Sequence, residues 1–199
     1  MAALPLAMAG LACCASSMIS SVLIPLMGGE EKDVVKTKST GPSAGPSAPV
    51  LPSAQYVKIA RPTGIYADET AILNIAEIEV FDKAGTNIAL NATVTGGPAN
   101  HGAGPWANLT DGDYANFAHT INDGIAFMTI DLGAVKEIAK IVITNRVGYS
   151  GSNRMENATV KLLDASQVDV KTTEAIVDEK MKMTYNFDVA TPAWEYADA

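Results

Sequence analysis

Short runs of alternating apolar and polar residues recur through most of this chain, and they limit what its folded part can become. The clearest run is residues 73–81, LNIAEIEVF. A period of two predicts that Ala76, Ile78 and Val80 form one face of a strand. Ile75 then lies on the opposite face beside two glutamates. Such a pattern is typical of a strand with one face in a hydrophobic core.

Similar runs are separated by turns rich in Gly, Asn and Asp. They predict further strands at residues 56–59, 87–94, 127–132, 138–145, 159–163 and 181–189. No amphipathic helical pattern interrupts them, so we predict an all-β domain of the sandwich or jelly-roll type. Residues 95–117 are too long for a hairpin connection, and long loops on such folds commonly carry function. Trp106 is expected to anchor this loop on the sandwich.

The first 29 residues carry no charge, unlike the rest of the chain. As a helix, residues 2–29 would cross a hydrocarbon layer, which needs about 20 apolar residues. No basic residue precedes them, as it would in a cleaved signal peptide, so we expect a retained membrane anchor. Cys13 and Cys14 both lie in this segment and cannot cross-link the domain. Whether they are acylated stays open.

The rest of the chain divides by composition. Residues 30–55 include the stretch STGPSAGPSAPVLPS, which predicts a semi-flexible linker. The β-domain is expected at residues 56–190. Residues 191–199 form a tail in which we find no strand pattern.

The net charge of −8 excludes one class of partner. An acidic surface repels phosphate backbones, and no basic stripe with aromatic residues is present, so nucleic acid is not expected. Cations and neutral ligands suit this charge better. An enzyme is also not expected, because the domain has no cysteine nucleophile, no triad arrangement around a histidine and no phosphate-binding glycine loop.

One stretch of the long loop concentrates oxygen donors. Asn108, Asp111 and Asp113 occur at short spacing in WANLTDGDYANFAHT, and His119 follows them. Calcium takes six to eight hard oxygen ligands, and an Asp-Gly turn can direct carboxylates and carbonyls to one point. The alternative is an Asx-rich turn whose side chains bond only to their own backbone.

Four segments in order resemble one known family: NIAEIEVFDKAGTNIAL, NLTDGDYANFAHT, FMTIDLGAVKEIAKIVITNR and ATVKLLDA. They are similar to the discoidin or coagulation-factor C-type domain, and within it to the fucolectin branch, over roughly residues 56–189. The resemblance implies an eight-stranded, galactose-binding-like jelly roll. The strand like LNIAEIEVF usually comes near the end of a fucolectin domain. Its early position here resembles a circular permutation, which is feasible when the termini lie close together.

The resemblance also implies a structural calcium ion. The spacing N-x-x-D-x-D matches the family's calcium loop, and the first-described strand would complete the site. The implied ligands are Asn108, Asp111, Asp113 and Asn116 on the loop, with Ala76, through its carbonyl, and Glu77 on the strand.

The resemblance further implies a sugar site formed by His119, Arg146 and Arg154. A neutral imidazole and guanidinium groups suit the hydroxyls of fucose. The family's R-x-D-C-C segment reads RVGYS here, so its vicinal disulfide is missing, and Tyr149 could replace it as an apolar platform. As alternatives, His119 is a partly buried structural histidine and the arginines pair with acidic groups. His101 has no partner at catalytic or metal-ligand spacing and is expected to be an exposed loop residue.

Two functions follow. The first is a non-enzymatic, membrane-anchored structural or interaction protein with protein neighbours in an assembly. It resembles minor, capsid-associated proteins of large DNA viruses with an internal membrane, which would place it in a virion. The alternative is a calcium-dependent, fucose- or glycan-binding lectin module tethered to a membrane. A fold alone does not decide between them.

Overall fold

The computed structural model describes residues 48–62, 71–122, 124–148 and 154–198. The expected anchor at residues 2–29 lies outside these ranges, as does most of the expected linker. Within the ranges, no helix is both long enough and apolar enough to cross a membrane.

The described residues form two antiparallel sheets and a single 3-10 helix, Trp106–Leu109. The strands are β1 (Ser53–Arg61), β2 (Asn74–Phe81), β3 (Thr93–Gly97), β4 (Ala118–His119), β5 (Ala126–Glu137), β6 (Lys140–Asn145), β7 (Thr159–Leu163), β8 (Asp169–Thr172), β9 (Lys182–Asn186) and β10 (Trp194–Ala197). The first sheet has the order β3-β5-β1-β7-β8 and the second β10-β9-β6-β2-β4.

The hydrophobic core is built from alternate residues of both sheets. Val57 and Ile59 on β1 are buried, and so are Met128 and Ile130 on β5. Ile143 on β6 belongs to the same cluster. Each such side chain stabilises the fold by about 1.5–3 kcal/mol when fully buried. The all-β prediction is therefore confirmed, although the described residues contain ten strands and not the eight expected.

Strand β2 departs from the predicted alternation. Ile75 is fully buried in the same cluster as Ile78 and Val80, so its predicted place on the opposite face is wrong. The pairing of β2 with β6 shifts register between Ile75 and Glu77. A bulge of this kind adds one residue and resets which side chains share a face.

The strand predicted at residues 87–94 is mostly a turn. The Asn87 side chain accepts hydrogen bonds from the Val80 and Ala89 N–H groups, at 3.2 and 3.1 Å. Asn91 adopts a φ of 59°. Because a left-handed residue interrupts a strand, β3 begins only at Thr93.

The C-terminal residues also differ from the prediction. Trp194–Ala197 pairs with β9, with Trp194 opposite Tyr185. The two rings pack edge to face with centroids 5.1 Å apart, and the indole N–H donates to the Glu174 carbonyl at 2.9 Å. The folded region therefore extends beyond residues 56–190 at both ends.

Trp106 anchors the long loop as predicted. It packs against the core from the 3-10 helix. A Cβ atom at Gly96 would lie only 3.0 Å from the Trp106 ring. The absence of a side chain at Gly96 thus gives the indole its place against the sheet.

Candidate functional site

Strand β2 holds the far end of the long loop. Leu73 and Thr120 exchange hydrogen bonds: the Leu73 N–H donates to the Thr120 hydroxyl at 2.9 Å, and the Thr120 N–H donates to the Leu73 carbonyl at 3.0 Å. The short strand β4 then pairs with β2, so that His119 lies opposite Asn74. The loop is thereby fixed to the second sheet.

The Asp-Gly-Asp turn is closed by its own side chains. The Asp111 carboxylate accepts from the Asp113 N–H, and the Asp113 carboxylate accepts from the Ala115 N–H, both at 2.9 Å. The Asn116 amide donates to both aspartates, at 2.7 and 3.4 Å. Gly112 has a φ of 81°, a left-handed value that glycine adopts without strain.

Glu77 approaches this turn from β2. Its side chain is fully buried, and the Gly112 N–H lies 3.3 Å from each of its carboxylate oxygens. The pKa of Glu77 is raised to about 8, mainly by burial and in part by the charges of Asp111, Glu79 and Asp113, while the hydrogen bond from Gly112 opposes the rise. A nearby positive charge would lower the pKa of this carboxyl. The raised pKa of Glu77 therefore indicates that the described residues place no such charge beside it.

The donor set is of the kind that calcium prefers. Glu77, Asp111, Asp113 and Asn116 meet at this turn, and the Asn116 amide oxygen is buried without a hydrogen-bond partner among the described residues. Hard oxygens of this kind suit calcium. Among the described residues, no three Asp, Glu, His or Cys side chains are close enough together to bind a metal ion by themselves. Amide and backbone oxygens would therefore have to serve as additional calcium ligands.

Two of the six residues implied as calcium ligands, Asn108 and Ala76, have no described hydrogen bond to the Asp-Gly-Asp turn. The Asn108 amide N–H donates to the Phe117 carbonyl at 3.1 Å, which orients this side chain along the loop. Ala76 is fully buried in β2, next to Glu77.

The sugar-site residues converge at the end of the loop. Arg154 Nη1 lies 3.3 Å from His119 Nε2. An arginine N–H can only donate, so Nε2 accepts and the ring proton is on Nδ1. Nδ1 is buried without a hydrogen-bond partner among the described residues. A buried donor without a partner costs about 1–3 kcal/mol.

His119 is held in its neutral form. The pKa of His119 is lowered to about 4, mainly by burial and in part by the charges of Arg154, His101 and Arg146. The imidazole therefore stays neutral at physiological pH.

Asn74 joins the two arginines. In the orientation that satisfies its hydrogen bonds, the Asn74 amide oxygen accepts from Arg146 Nη1 and Arg154 Nη1, each at 3.1 Å. The Arg146 guanidinium lies 3.5 Å from the centroid of the Phe117 ring. The structure thus gathers His119, Arg146 and Arg154 around one buried amide, and we call these three residues together with Asn74 the loop rim.

Three residues of this region are missing from the sequence-based set: Asn74 in the loop rim, and its neighbours Phe117 and His101. His101 is exposed as expected, yet its ring meets the His119 ring edge to face at 5.0 Å and its backbone N–H donates to the His119 carbonyl at 2.7 Å. Only Phe117 could have been found from a local pattern, because alternate residues of an extended chain share a side. The expected role of Tyr149 lies outside the described residues.

Comparison with known proteins supports the galactose-binding-like class. A family model described as a NedA-like, galactose-binding domain of the F5/F8 type C group matches residues 108–193. The match includes the Asp-Gly-Asp turn, His119, Arg146 and Arg154. No curated protein and no solved structure matches the chain. Strand β2 precedes the matched residues, so the circular permutation stays a prediction, as does the fucolectin branch.

Proposed function

We propose that the β-domain is a non-catalytic carbohydrate-binding module, and that the loop rim binds one neutral sugar unit such as fucose or galactose. The observation that carries the proposal is the convergence of His119, Arg146 and Arg154 through Asn74. The similarity of residues 108–193 to a galactose-binding domain supports it.

The chemistry of the loop rim suits a polyol. The two guanidinium groups supply N–H donors in fixed planes, since Asn74 holds both and Phe117 supports one. The His119 imidazole is neutral and therefore suits an uncharged ligand, and its Nδ1–H is buried without a hydrogen-bond partner among the described residues. A neutral ligand also avoids the overall negative charge of the chain.

Calcium enters the proposal as a structural ion. Glu77, Asp111, Asp113 and Asn116 would hold it, together with oxygens from the loop and from Ala76. The ion would supply the positive charge that a buried Glu77 lacks, and it would fix the turn that leads to His119. Asn108 would contribute through its amide oxygen, because its N–H groups face the Phe117 carbonyl.

The test is titration calorimetry of the full chain with L-fucose and D-galactose, with calcium present and after chelation. We expect His119→Ala and Arg146→Ala to abolish binding. Lys140→Ala is a matched control, because Lys140 begins the strand that Arg146 follows and also lies over an aromatic ring, Phe81, at 4.4 Å. Equal binding by His119→Ala and the unmodified chain, or equal loss in Lys140→Ala, would refute the assignment.

An assembly role is the second candidate, and one surface favours it. A hollow of about 380 Å³ on the second sheet is lined largely by apolar side chains, among them Tyr114, Val147 and Met181. Val147 is 67% exposed, and exposed apolar patches commonly mark interaction sites. In this candidate function residues 2–29 anchor the chain in a membrane, such as the internal membrane of a large DNA virus.

Two measurements test the assembly role. Flotation of the full chain with lipid vesicles, compared with a chain that starts at residue 30, tests the anchor. Cross-linking in native membranes, with Val147→Asp as the variant, tests the hollow. Absence of both vesicle binding and a Val147-dependent cross-link would exclude it.

A further inference from the structure

The outer face of the first sheet carries a hollow with a volume of about 550 Å³. Its lining includes Tyr56, Lys58, Phe127, Thr129, Asp131 and Lys161. We call this hollow the sheet groove. We propose that the sheet groove is a second carbohydrate site, which binds several consecutive units of a neutral, extended oligosaccharide.

The strand register arranges the lining in parallel rows. One row runs from Thr93 through Asp131 and Tyr56 to Leu163. The next row runs from Thr95 through Thr129 and Lys58 to Lys161. Neighbouring strands lie about 4.8 Å apart, so each row repeats hydrogen-bonding groups at regular steps across the sheet. A chain molecule with repeated hydroxyl groups matches such a surface better than a compact ligand.

Polar groups in the first row are held in place before any ligand binds. The Gln55 amide N–H donates to Asp131 Oδ1 at 3.1 Å and to the Tyr56 hydroxyl at 3.2 Å. The Gly133 N–H donates to the same Asp131 oxygen at 2.8 Å. Groups that are already ordered lose little conformational entropy on binding, which favours affinity.

Aromatic rings give the sheet groove its apolar surface. The Phe127 ring lies so close to Gly97 that a Cβ atom there would be 2.5 Å from Cε1, and the Lys58 ammonium lies 4.4 Å from the ring centroid. Opposite Phe127 in the register is the small residue Ala60. The ring is therefore fixed, and a short neighbour leaves room beside it. With Tyr56 it offers the C–H faces of sugar rings a surface to pack on.

Charge in the sheet groove is balanced. Lys58 and Lys161 are matched in number by Asp131 and Asp169, and Lys161 pairs with Asp169. A balanced lining in a chain of net charge −8 does not attract a polyanion, and it does not favour a second acidic copy of this chain. An extended peptide usually pairs with the edge of a sheet, not with its side-chain face. A neutral polyol is the ligand that meets all of these constraints.

The sheet groove is separate from the loop rim. Its lining comes mainly from the first sheet, whereas Asn74 and His119 belong to β2 and β4 of the second sheet and Arg146 directly follows β6. None of the loop-rim residues lines the groove. Binding at either place can therefore be removed without touching the other.

Titration calorimetry of the full chain with neutral hexasaccharides of glucose, xylose, mannose and galactose tests the proposal. At least one hexasaccharide should bind, and its monosaccharide should bind roughly tenfold or more weakly, because a single unit fills only part of the rows. Tyr56→Ala and Phe127→Ala should each weaken hexasaccharide binding by roughly tenfold or more. His119→Ala should leave it intact, which separates this result from failure of the loop-rim proposal.

Thr129→Val guards against misfolding, because it removes a hydroxyl and keeps the shape. It should weaken binding several-fold, whereas Thr184→Val, at a half-buried threonine on the outer face of the other sheet, should have no effect. The proposal is overturned if no hexasaccharide binds, or if Tyr56→Ala and Phe127→Ala bind like the unmodified chain. It is also overturned if an anionic polymer, a peptide or a second copy of the chain occupies the face, as shown by competition or sedimentation.

Discussion

The loop rim and the sheet groove obtain their side chains in different ways. The loop rim depends on three partners from different elements, since Asn74 on β2 must meet arginines that follow β6 and precede β7. The sheet groove depends only on strand alternation and register, which already place its residues side by side. We therefore expect the loop rim to lose its ligand affinity when a single contact is removed. The affinity of the sheet groove should instead fall in proportion to the contact surface that a substitution removes.

The largest expected effect is on the scaffold of the sheet groove. Ile130 lies on β5 between Thr129 and Asp131 and is 1% exposed. Ile130→Ala should lower the free energy of unfolding by about 2–5 kcal/mol, because a cavity opens in the core. Chemical denaturation measures this, with Ile130→Val expected to cost about 0.5–1.5 kcal/mol. If Ile130→Ala instead abolishes oligosaccharide binding in a chain that is still folded, the sheet groove depends on a single residue and does not differ from the loop rim in this respect.

Calcium should act on the loop and not on the sheet groove. At about 100 times its dissociation constant, an ion that binds only the folded state adds about 2.7 kcal/mol to the free energy of unfolding. Thermal unfolding with calcium and after chelation measures the shift, and Asp111→Asn should remove it. Asp164→Asn is the matched control, because Asp164 closes a similar turn by accepting from the Ser166 N–H at 2.8 Å. A calcium shift that survives in Asp111→Asn contradicts the site.

Removal of the Asn74 side-chain amide should affect ligand binding at the loop rim but not in the sheet groove. Asn74 is 1% exposed and accepts from both arginines, so Asn74→Ala removes the acceptor that joins them. We expect about 0.5–1.5 kcal/mol of destabilisation from each lost hydrogen bond, and loss of monosaccharide binding. Hexasaccharide binding in the sheet groove should persist. Asn186→Ala is the control, since Asn186 only accepts from the Asp188 N–H in an exposed turn.

The smallest effect concerns pH. The pKa of His119 is about 4 in the folded chain, against an ordinary value of 6.5. Arg154, His101 and Arg146 face the ring and oppose its protonation. The unfolded chain therefore takes up the proton first, so the contribution of His119 to stability is complete above pH 6.5 and is lost as the pH falls towards 4.

Monosaccharide binding provides the measurement for that prediction. It should be equal at pH 7 and pH 5, because His119 stays neutral across this range. A binding midpoint near 6.5, the ordinary value for histidine, would show that the ring is not shielded as described. Hexasaccharide binding over the same range is the control, because the groove lining contains no histidine.

Local sequence pattern predicted the strands that alternate and missed those that do not. The strand at Thr159–Leu163 has the predicted bounds, and β2 begins one residue later than expected. β8, with the sequence DVKT, is exposed throughout, so it has no apolar face for a pattern to reveal. The bulge that moves Ile75 into the core arises where β2 pairs with β6. The sequence of β2 alone does not indicate how the strand pairs with its neighbour.

The loop rim was only partly predictable for the same reason. His119 and the two arginines were named through family resemblance, and the structure brings them together. Asn74 was missed, because its role arises from its pairing opposite His119 across 45 residues of chain. His101 was assigned as an isolated residue, since nothing in its own segment indicates a ring 5.0 Å away.

Strand β2 contributes Asn74 to the loop rim and Glu77 to the Asp-Gly-Asp turn, and the bulge lies between them. The two sites therefore share one short piece of backbone. If a bound ion stabilises one conformation of this backbone segment, and the sugar binds to that same conformation, each ligand favours binding of the other. Thermodynamic linkage then requires reciprocity: the factor by which calcium raises the affinity for sugar equals the factor by which sugar raises the affinity for calcium.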